Sequence, residues 1–128
     1  MKLEHVALYV SDLERARAFF VDWLGGRSNE GYHNPKTGLR TYFISFDGGA
    51  RLELMTRPGI LERGGTRPAQ TGYAHVAFSV GSRERVDQLT HALREAGFAV
   101  VSGPRTTGDG YYESCVLDLE GNQIELTI

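Results

Sequence analysis

The sequence predicts an α+β protein that contains two copies of a βαβββ module. One observation is that the segment HVALYV at residues 5–10 returns as HVAFSV at 75–80. A second is that LEL at 52–54 returns as IEL at 124–126. The separation from the His to the Glu is 48 residues in the first copy and 50 in the second. Because the match holds at both ends with nearly equal spacing, it indicates an internal duplication.

In the first copy, alternating apolar residues at 5–10 predict a strand, and a helix follows it. Ser11 and Glu14 have the spacing of a capping box, so we expect Ser11 to be the N-cap. Apolar residues then recur at helical spacing, and two glycines are the expected stop: Leu13, Ala16, Phe20, Leu24, Gly25, Gly26. Short strands are expected at 27–28, 41–46 and 51–55, with a hairpin signal (DGG) at 47–49 between the last two.

The second copy repeats this plan. Ser82 is the expected N-cap of its helix, whose apolar stripe consists of Val86, Leu89 and Leu93, and Gly97 ends it. Strands are expected at 99–102, 114–119 and 123–127, and the hairpin signal EGN lies at 120–122. We interpret the whole chain, 1–128, as one domain: a first module at about 1–56, a linker rich in Gly, Pro and Arg at 57–72, and a second module at about 73–128.

Composition narrows the function. A net charge of −2 and the absence of any Lys/Arg run argue against nucleic acid and against an anionic membrane surface. The expected partner is a small molecule or a second copy of the chain. Cys115, the single cysteine, cannot form an internal disulfide and is expected to be a packed thiol in a strand, so a cytoplasmic protein is predicted.

Four polar residues share one kind of position in the two modules. Side chains alternate between the faces of a strand, so His5 lies opposite the apolar face of the first strand, and His75 does the same in the second module. Glu53 and Glu125 each interrupt an apolar strand, where a carboxylate is costly to bury without a partner. All four are therefore expected on the face away from the helices.

This set of residues has the chemistry of a metal site. Two imidazoles and two carboxylates are suitable ligands for a divalent cation that keeps open positions for water or substrate oxygens. A coordinated oxygen makes a proton on the neighbouring carbon more acidic, and a nearby carboxylate can remove that proton. A single strand His is more often structural, but the repeat links the four residues. His33 and His91 have no counterpart in the other module and are expected on the surface.

The pattern resembles the vicinal oxygen chelate superfamily, and within it glyoxalase I (lactoylglutathione lyase). The resemblance covers nearly the whole chain, and its most specific segments are LEHV at 3–6, RLEL at 51–54, GYAHVA at 72–77 and DLEGNQIEL at 118–126. It implies that the two modules form an incomplete barrel around the metal. It also implies a homodimer with shared sites, in which His5 and Glu53 come from one chain and His75 and Glu125 from the other.

The resemblance further implies an activity, the isomerisation of the hemithioacetal of methylglyoxal and glutathione to a thioester. Glu125 would be the proton-transfer base and Glu53 its partner carboxylate. One divalent metal per site is implied, with Ni, Co or Zn favoured and Mn or Fe also compatible. The chain departs from glutathione-binding members at Tyr9, where they carry Arg. Arg57 and Arg15 are either substitute carboxylate partners or plain surface charge.

Other functions fit parts of the pattern. Metal-dependent thiol transferases of the fosfomycin-resistance type and ring-cleaving dioxygenases use a His, His, Glu triad, and Glu53 occupies the place that they leave to substrate. Metal-free drug-binding proteins of the bleomycin-resistance type generally lack the ligand set that is complete here. The segment TTGDGYYE at 106–113 is either a cover for the substrate or an ordinary hairpin loop.

Overall fold

The computed structural model describes residues 3–61, 73–108 and 110–128. The chain divides into two compact units, Met1–Gly64 and Gly65–Ile128, each with one helix packed on one mixed sheet. The predicted α+β fold with a repeated module is therefore confirmed. Most of the predicted linker, residues 62–72, lies outside the described residues, and the interpretation of the chain as one domain stays a prediction.

In chain order the elements of the first unit are β1 His5–Tyr9, α1 Leu13–Asp22, β2 Arg27–Ser28, β3 Tyr32–His33, β4 Arg40–Ser45 and β5 Arg51–Thr56. Its sheet has the strand order β1-β5-β4-β2, and the short strand β3 pairs with β4. Strands β1 and β5 are parallel and the other pairs are antiparallel. Strand β3 was not predicted.

The helix of the first unit begins one residue later than its capping-box pattern predicts. Asp12 is the N-cap, and its side chain accepts a hydrogen bond of 3.0 Å from the backbone N–H of Arg15. The prediction that Ser11 is the cap is wrong, because the helix starts at Leu13 and it is the Asp12 side chain that satisfies an N–H group of the first turn. The buried face of α1 packs on the inner side of β4 and β5 and forms a core with them: Leu13, Ala16, Phe19, Phe20, Ile44, Leu52 and Leu54.

The elements of the second unit are β6 His75–Ser79, α2 Arg83–Glu95, β7 Val100–Thr106, β8 Tyr112–Leu117 and β9 Gln123–Thr127. The unit repeats the arrangement of the first, with the strand order β6-β9-β8-β7. Ser82 is the N-cap of α2, as predicted, and accepts a hydrogen bond from the N–H of Arg85. Strand β7 is longer than predicted, because it continues through Gly103 and Pro104 with irregular register against β8.

The core of the second unit lies between α2 and the sheet. Its apolar members are fully or nearly fully buried, and each contributes about 1.5–3 kcal/mol of hydrophobic stabilisation: Val86, Leu89, Leu93, Val116, Ile124 and Leu126. One polar contact joins helix and sheet within this core. Thr90 donates to the carbonyl of Val86, and its hydroxyl pairs with that of buried Ser114.

Both predicted hairpins are present, between β4 and β5 and between β8 and β9. In the second, the Asp118 carboxylate accepts hydrogen bonds from the backbone N–H groups of Glu120 and Asn122 and from the Asn122 amide. Gly121 supplies the left-handed backbone that the turn requires, with φ of +75°. Among the described residues, no helix is long and apolar enough to cross a lipid bilayer.

Candidate metal centre

The first candidate pair of ligands lies on the central strands of the first unit. Strands β1 and β5 run parallel with Ala7 opposite Glu53, and His5 shares the face of Ala7 two residues earlier. This register brings Nε2 of His5 to 3.7 Å from Oε2 of Glu53. The Glu53 side chain is 18% exposed and that of His5 is 40% exposed. The carboxylate is therefore largely shielded, while the imidazole edge remains open.

The second unit has the same pair in the same register. Ala77 lies opposite Glu125 on the parallel strands β6 and β9, and Nε2 of His75 is 3.4 Å from Oε2 of Glu125. The exposed fractions are 43% for His75 and 19% for Glu125, close to those of the first pair. The strand parity that the sequence predicts is confirmed in both units, since the flanking residues Leu52, Leu54, Ile124 and Leu126 face the helices and are buried.

The chemistry of these donors fits a divalent cation. An unprotonated imidazole nitrogen and a carboxylate oxygen each offer a lone pair to a cation, and the His5–Glu53 distance of 3.7 Å is wider than a hydrogen bond. Two donor atoms bound to one ion at about 2.0–2.2 Å lie about 3.0–3.5 Å apart for bond angles near 90–110°. The second pair falls in this range and the first is slightly wider.

Each pair of candidate ligands lies within one of the two units. Among the described residues, no group of three or more His, Cys, Asp or Glu side chains is arranged to hold a metal ion. Each unit thus shows a two-residue half-site, and the convergence of the four residues on one cation stays a prediction. The other histidines, His33 and His91, are exposed, in agreement with their expected surface positions.

The first half-site is braced by neighbouring side chains that the sequence analysis missed. Nδ1 of His5 is hydrogen-bonded to the carboxylate of Glu4, which also forms an ion pair with Arg51. The His5 ring packs edge-on against Phe43, with ring centroids 5.4 Å apart. The guanidinium of Arg51 stacks on the Phe43 ring, 4.1 Å from its centroid. The hydrogen bond from His5 and the pairing with Arg51 lower the pKa of Glu4 below its ordinary value.

The second half-site has different neighbours. Cys115 lies directly opposite Glu125, on the same face of the sheet, and is half-buried. Its position in a strand was predicted, but the buried residues on either side of it, Ser114 and Val116, are the ones that face the helix. Burial, with a smaller contribution from the charge of Glu125, raises the pKa of the Cys115 thiol. A raised pKa disfavours the thiolate, which agrees with the expectation of a largely inert cysteine.

Further along the first half-site lie an aromatic ring and a cation. Tyr9 is on the face of His5, opposite Met55, and is 51% exposed. The guanidinium of Arg57, just beyond the end of β5, lies 6.0 Å from the centroid of the Tyr9 ring. No acidic partner of Arg57 is present in the described part of the chain. Its charge is thus available to an anionic ligand at this end of the strand face.

The loop between β7 and β8 has the geometry of a hairpin loop. The backbone N–H of Thr107 donates to the carbonyl of Tyr111, and the backbone N–H of Tyr111 donates to the hydroxyl of Thr107. These two hydrogen bonds join the ends of the loop. Tyr112 donates to Asp87 of α2 at 2.6 Å, on the helix side of the sheet. Asp109 lies outside the described residues. The ordinary-loop interpretation of this segment is therefore favoured over a cover for the substrate.

A small cavity of the first unit is separate from the two pairs. It lies where α1, β3 and β4 meet, has a volume of about 150 Å³ and is lined by eight residues: Leu13, Glu30, Gly31, Tyr32, His33, Arg40, Thr41 and Tyr42. None of the four candidate ligands contributes to it. Its volume is below the range of about 300–1,000 Å³ that is usual for small-molecule sites. The two His–Glu pairs therefore remain the best candidates for the functional site.

Comparison with known proteins gives a family match over almost the full length. The model of the Glyoxalase/Bleomycin resistance protein/Dioxygenase superfamily matches residues 2–126. Protein YwkD of Bacillus subtilis (strain 168) is 34% identical over 89 residues, which cover 70% of this chain and 69% of that protein. The mitochondrial methylmalonyl-CoA epimerase of Bos taurus is 39% identical over 54 residues, 42% of this chain and 30% of the epimerase.

The fold matches solved structures as well. The trypanothione-dependent glyoxalase I of Leishmania major superposes with a TM-score of 0.77 at 22% identity, over 99% of this chain and 86% of that chain. At this identity the likeness concerns the fold alone. It supports the α+β fold described above.

Proposed function

The chain belongs to the Glyoxalase/Bleomycin resistance protein/Dioxygenase superfamily, and we propose that within it the chain is a metal-dependent, glyoxalase I-like enzyme. Its reaction is a proton-transfer isomerisation of a small substrate with neighbouring oxygens, such as the hemithioacetal of methylglyoxal and a thiol. The observation that carries this proposal is the pair of equivalent half-sites, with Nε2–Oε2 distances of 3.7 and 3.4 Å.

The metal ligands in this proposal are His5, Glu53, His75 and Glu125. Ni, Co and Zn fit this donor set best, because imidazole nitrogen and carboxylate oxygen are ligands of borderline cations; Mn and Fe also fit. When bound, a divalent cation would polarise substrate oxygens and so make the proton on the adjacent carbon more acidic. Every other role falls to the side chains of the protein.

The proton is moved by a carboxylate in this proposal. Oε of Glu125 accepts the carbon-bound proton and returns it to the neighbouring carbon, and Glu53 is the partner carboxylate. Both side chains are less than one fifth exposed. Partial exclusion of water strengthens the interactions of such carboxylates with a developing charge.

Each site is shared between two chains in this proposal. One chain contributes His5 and Glu53, and its partner contributes His75 and Glu125, so the homodimer has two equivalent sites. A C2 dimer generates both sites from one type of interface.

The experiment that tests the proposal combines metal analysis with turnover. Purified protein is reconstituted with Ni²⁺, Co²⁺ or Zn²⁺, and the bound metal is measured in the wild type and in the Glu53→Ala and Glu125→Ala variants. His33→Ala and His91→Ala are matched controls, because these histidines are exposed and lie outside the pairs. Turnover of the methylglyoxal–glutathione hemithioacetal is then assayed with the loaded protein.

The expected result is about one metal ion per chain in the wild type and both controls, with loss of metal and turnover in the two Glu variants. Stoichiometric metal without turnover would retain the metal site and refute the glyoxalase substrate. No metal after reconstitution would instead favour a binding protein that works without metal, as in drug-resistance relatives.

A second substrate is favoured by the match to the bovine methylmalonyl-CoA epimerase. An epimerase of this kind also moves a proton at a carbon next to a carbonyl, so the same four residues would serve it. The match covers only 30% of the epimerase. It therefore supports the class of reaction, proton transfer next to a carbonyl, more than it supports methylmalonyl-CoA as the substrate. Methylmalonyl-CoA belongs in the same assay, and exchange of its α-proton with solvent deuterium would identify this alternative.

A further inference from the structure

The two half-sites share their ligands but differ at three neighbouring positions. Glu4 precedes His5, whereas Ala74 precedes His75. Arg51 lies opposite His5 on the neighbouring strand, and the equivalent position opposite His75 is Gln123. Opposite the two glutamates lie Phe43 in the first unit and Cys115 in the second. The duplication therefore retains the ligands without retaining their surroundings.

In the first half-site these neighbours form a continuous chain of contacts that ends on His5. The carbonyl of Glu4 accepts a backbone hydrogen bond of 2.9 Å from Arg51, which extends the β1–β5 ladder by one step. That bond holds the two residues side by side, and their side chains form an ion pair. Because Arg51 also stacks on Phe43, the Glu4 carboxylate has a fixed cationic anchor.

The contact between Glu4 and His5 selects one form of the imidazole. A carboxylate is an acceptor, so its hydrogen bond with Nδ1 requires that this nitrogen carries the proton. In a neutral ring the other nitrogen, Nε2, then has the free lone pair, and it is Nε2 that faces Glu53. Phe43 limits rotation of the ring by its edge-on contact.

We propose that Glu4, anchored by Arg51, is a positioning residue that fixes the tautomer and orientation of His5 so that Nε2 is presented as a ligand beside Glu53. The proposal rests on the proposed function only for the identity of what Nε2 binds. Histidine ligands commonly donate their second nitrogen to a carboxylate, and loss of that partner typically weakens metal binding about 10–100-fold. The second half-site lacks this device, because Ala74 has no polar side chain.

The direct test is the tautomer of His5 in metal-free protein. The chain has four histidines, so the imidazole nitrogens can be assigned in ¹⁵N-labelled protein by single His substitutions. Spectra are recorded over a pH series, and the tautomer is read on the alkaline plateau, where the imidazole nitrogen signals no longer change with pH. In the wild type we expect His5 with the proton on Nδ1. In Glu4→Ala we expect a shift toward the Nε2-protonated form, and Glu4→Asp should restore the wild-type form in part.

The control and the converse variant separate positioning from a general change of charge or stability. Glu95→Ala removes an exposed carboxylate from α2 and should leave the His5 tautomer unchanged. The double substitution Ala74→Glu with Gln123→Arg places the same acid and base at the equivalent positions beside His75 and should favour a proton on its Nδ1. Circular dichroism melting of each variant checks that the fold persists; Arg51→Gln, which removes the anchor only, provides a second lesion if Glu4→Ala does not fold.

Metal affinity is the second measurement, made with Co²⁺ alone. Glu4→Ala and Arg51→Gln should each weaken Co²⁺ binding, by about 10–100-fold for Glu4→Ala. The combined variant should be little weaker than Glu4→Ala, because both changes act through one contact. An unchanged His5 tautomer in Glu4→Ala overturns the proposal, as does unchanged affinity in a protein that binds Co²⁺. A tautomer shift in a protein that binds Co²⁺ without turnover upholds it and refutes only the proposed function.

Discussion

Mixing two inactive variants tests whether each site is shared between two chains. Glu53→Ala removes the carboxylate of the first half-site, and Glu125→Ala removes that of the second. If a site joins the first half-site of one chain to the second half-site of its partner, a mixed dimer has one site with both carboxylates. Its other site has neither. Homodimers of either variant have two sites that each lack one carboxylate.

The size of the expected recovery follows from this geometry. The two half-sites have the same ligand types and similar Nε2–Oε2 distances, so loss of either carboxylate should disable a site to a similar degree. Random association of equal amounts gives about half mixed dimers, each with one intact site of two. We therefore expect about a quarter of the wild-type metal content and turnover from the mixture.

The assay requires exchange of subunits and a control in which both lesions lie in the same half. The two variants are unfolded together, refolded and reconstituted with Co²⁺, and bound metal is measured after gel filtration. A mixture of His5→Ala with Glu53→Ala is the matched control, since every site in every dimer then lacks one ligand. Recovery of metal in the control, or no recovery from Glu53→Ala with Glu125→Ala, would refute the shared site.

Three further predictions concern stability and substrate binding. Ile124→Ala should lower the free energy of unfolding by about 2–5 kcal/mol in urea titrations, because Ile124 is fully buried. The control Ile128→Ala, at a 45% exposed position, should change it by about 0.5 kcal/mol or less, and equal effects would contradict the described core. Burial raises the pKa of Asp118, so the folded protein binds a proton there more readily than the unfolded chain. The unfolding free energy of the wild type minus that of Asp118→Asn should therefore fall as the pH rises from about 3.9 through the raised pKa, and a rise would contradict the assigned sign. If Arg57 holds a carboxylate of the proposed glutathione substrate, Arg57→Gln should raise KM for its hemithioacetal about tenfold or more with little change in kcat, because one charged hydrogen bond would be lost. The exposed Arg15→Gln variant should match the wild type, and equal effects of the two substitutions would contradict this role of Arg57.

The elements that could be predicted from the sequence are those with local periodicity. Both helices, both hairpins and the central strands follow from apolar spacing and turn residues. Strand β3 could not be predicted in this way, because its two residues are strand only through pairing with β4 across the sheet. At the start of α1, Ser11 and Asp12 are both good cap residues, so residue type alone does not decide between them; in the structure Asp12 makes the capping hydrogen bond. The length of β7 was missed because Gly103 and Pro104 usually interrupt strands.

The candidate ligands could be identified from the sequence because duplication repeats them, and the same reasoning hides the residues around His5. Comparing the two halves detects only what they share, and Glu4 has no counterpart, since Ala74 takes its place. The alternation of side chains along a strand does not identify Glu4 either, because Glu4 precedes β1. Its side chain contacts both His5 and Arg51, and the sequence pattern does not predict these contacts. The two halves therefore combine equal ligands with unequal bracing. In the proposed function, an oriented His5 beside Glu53 would suit the holding of a cation, whereas His75 has no preceding carboxylate to orient its ring.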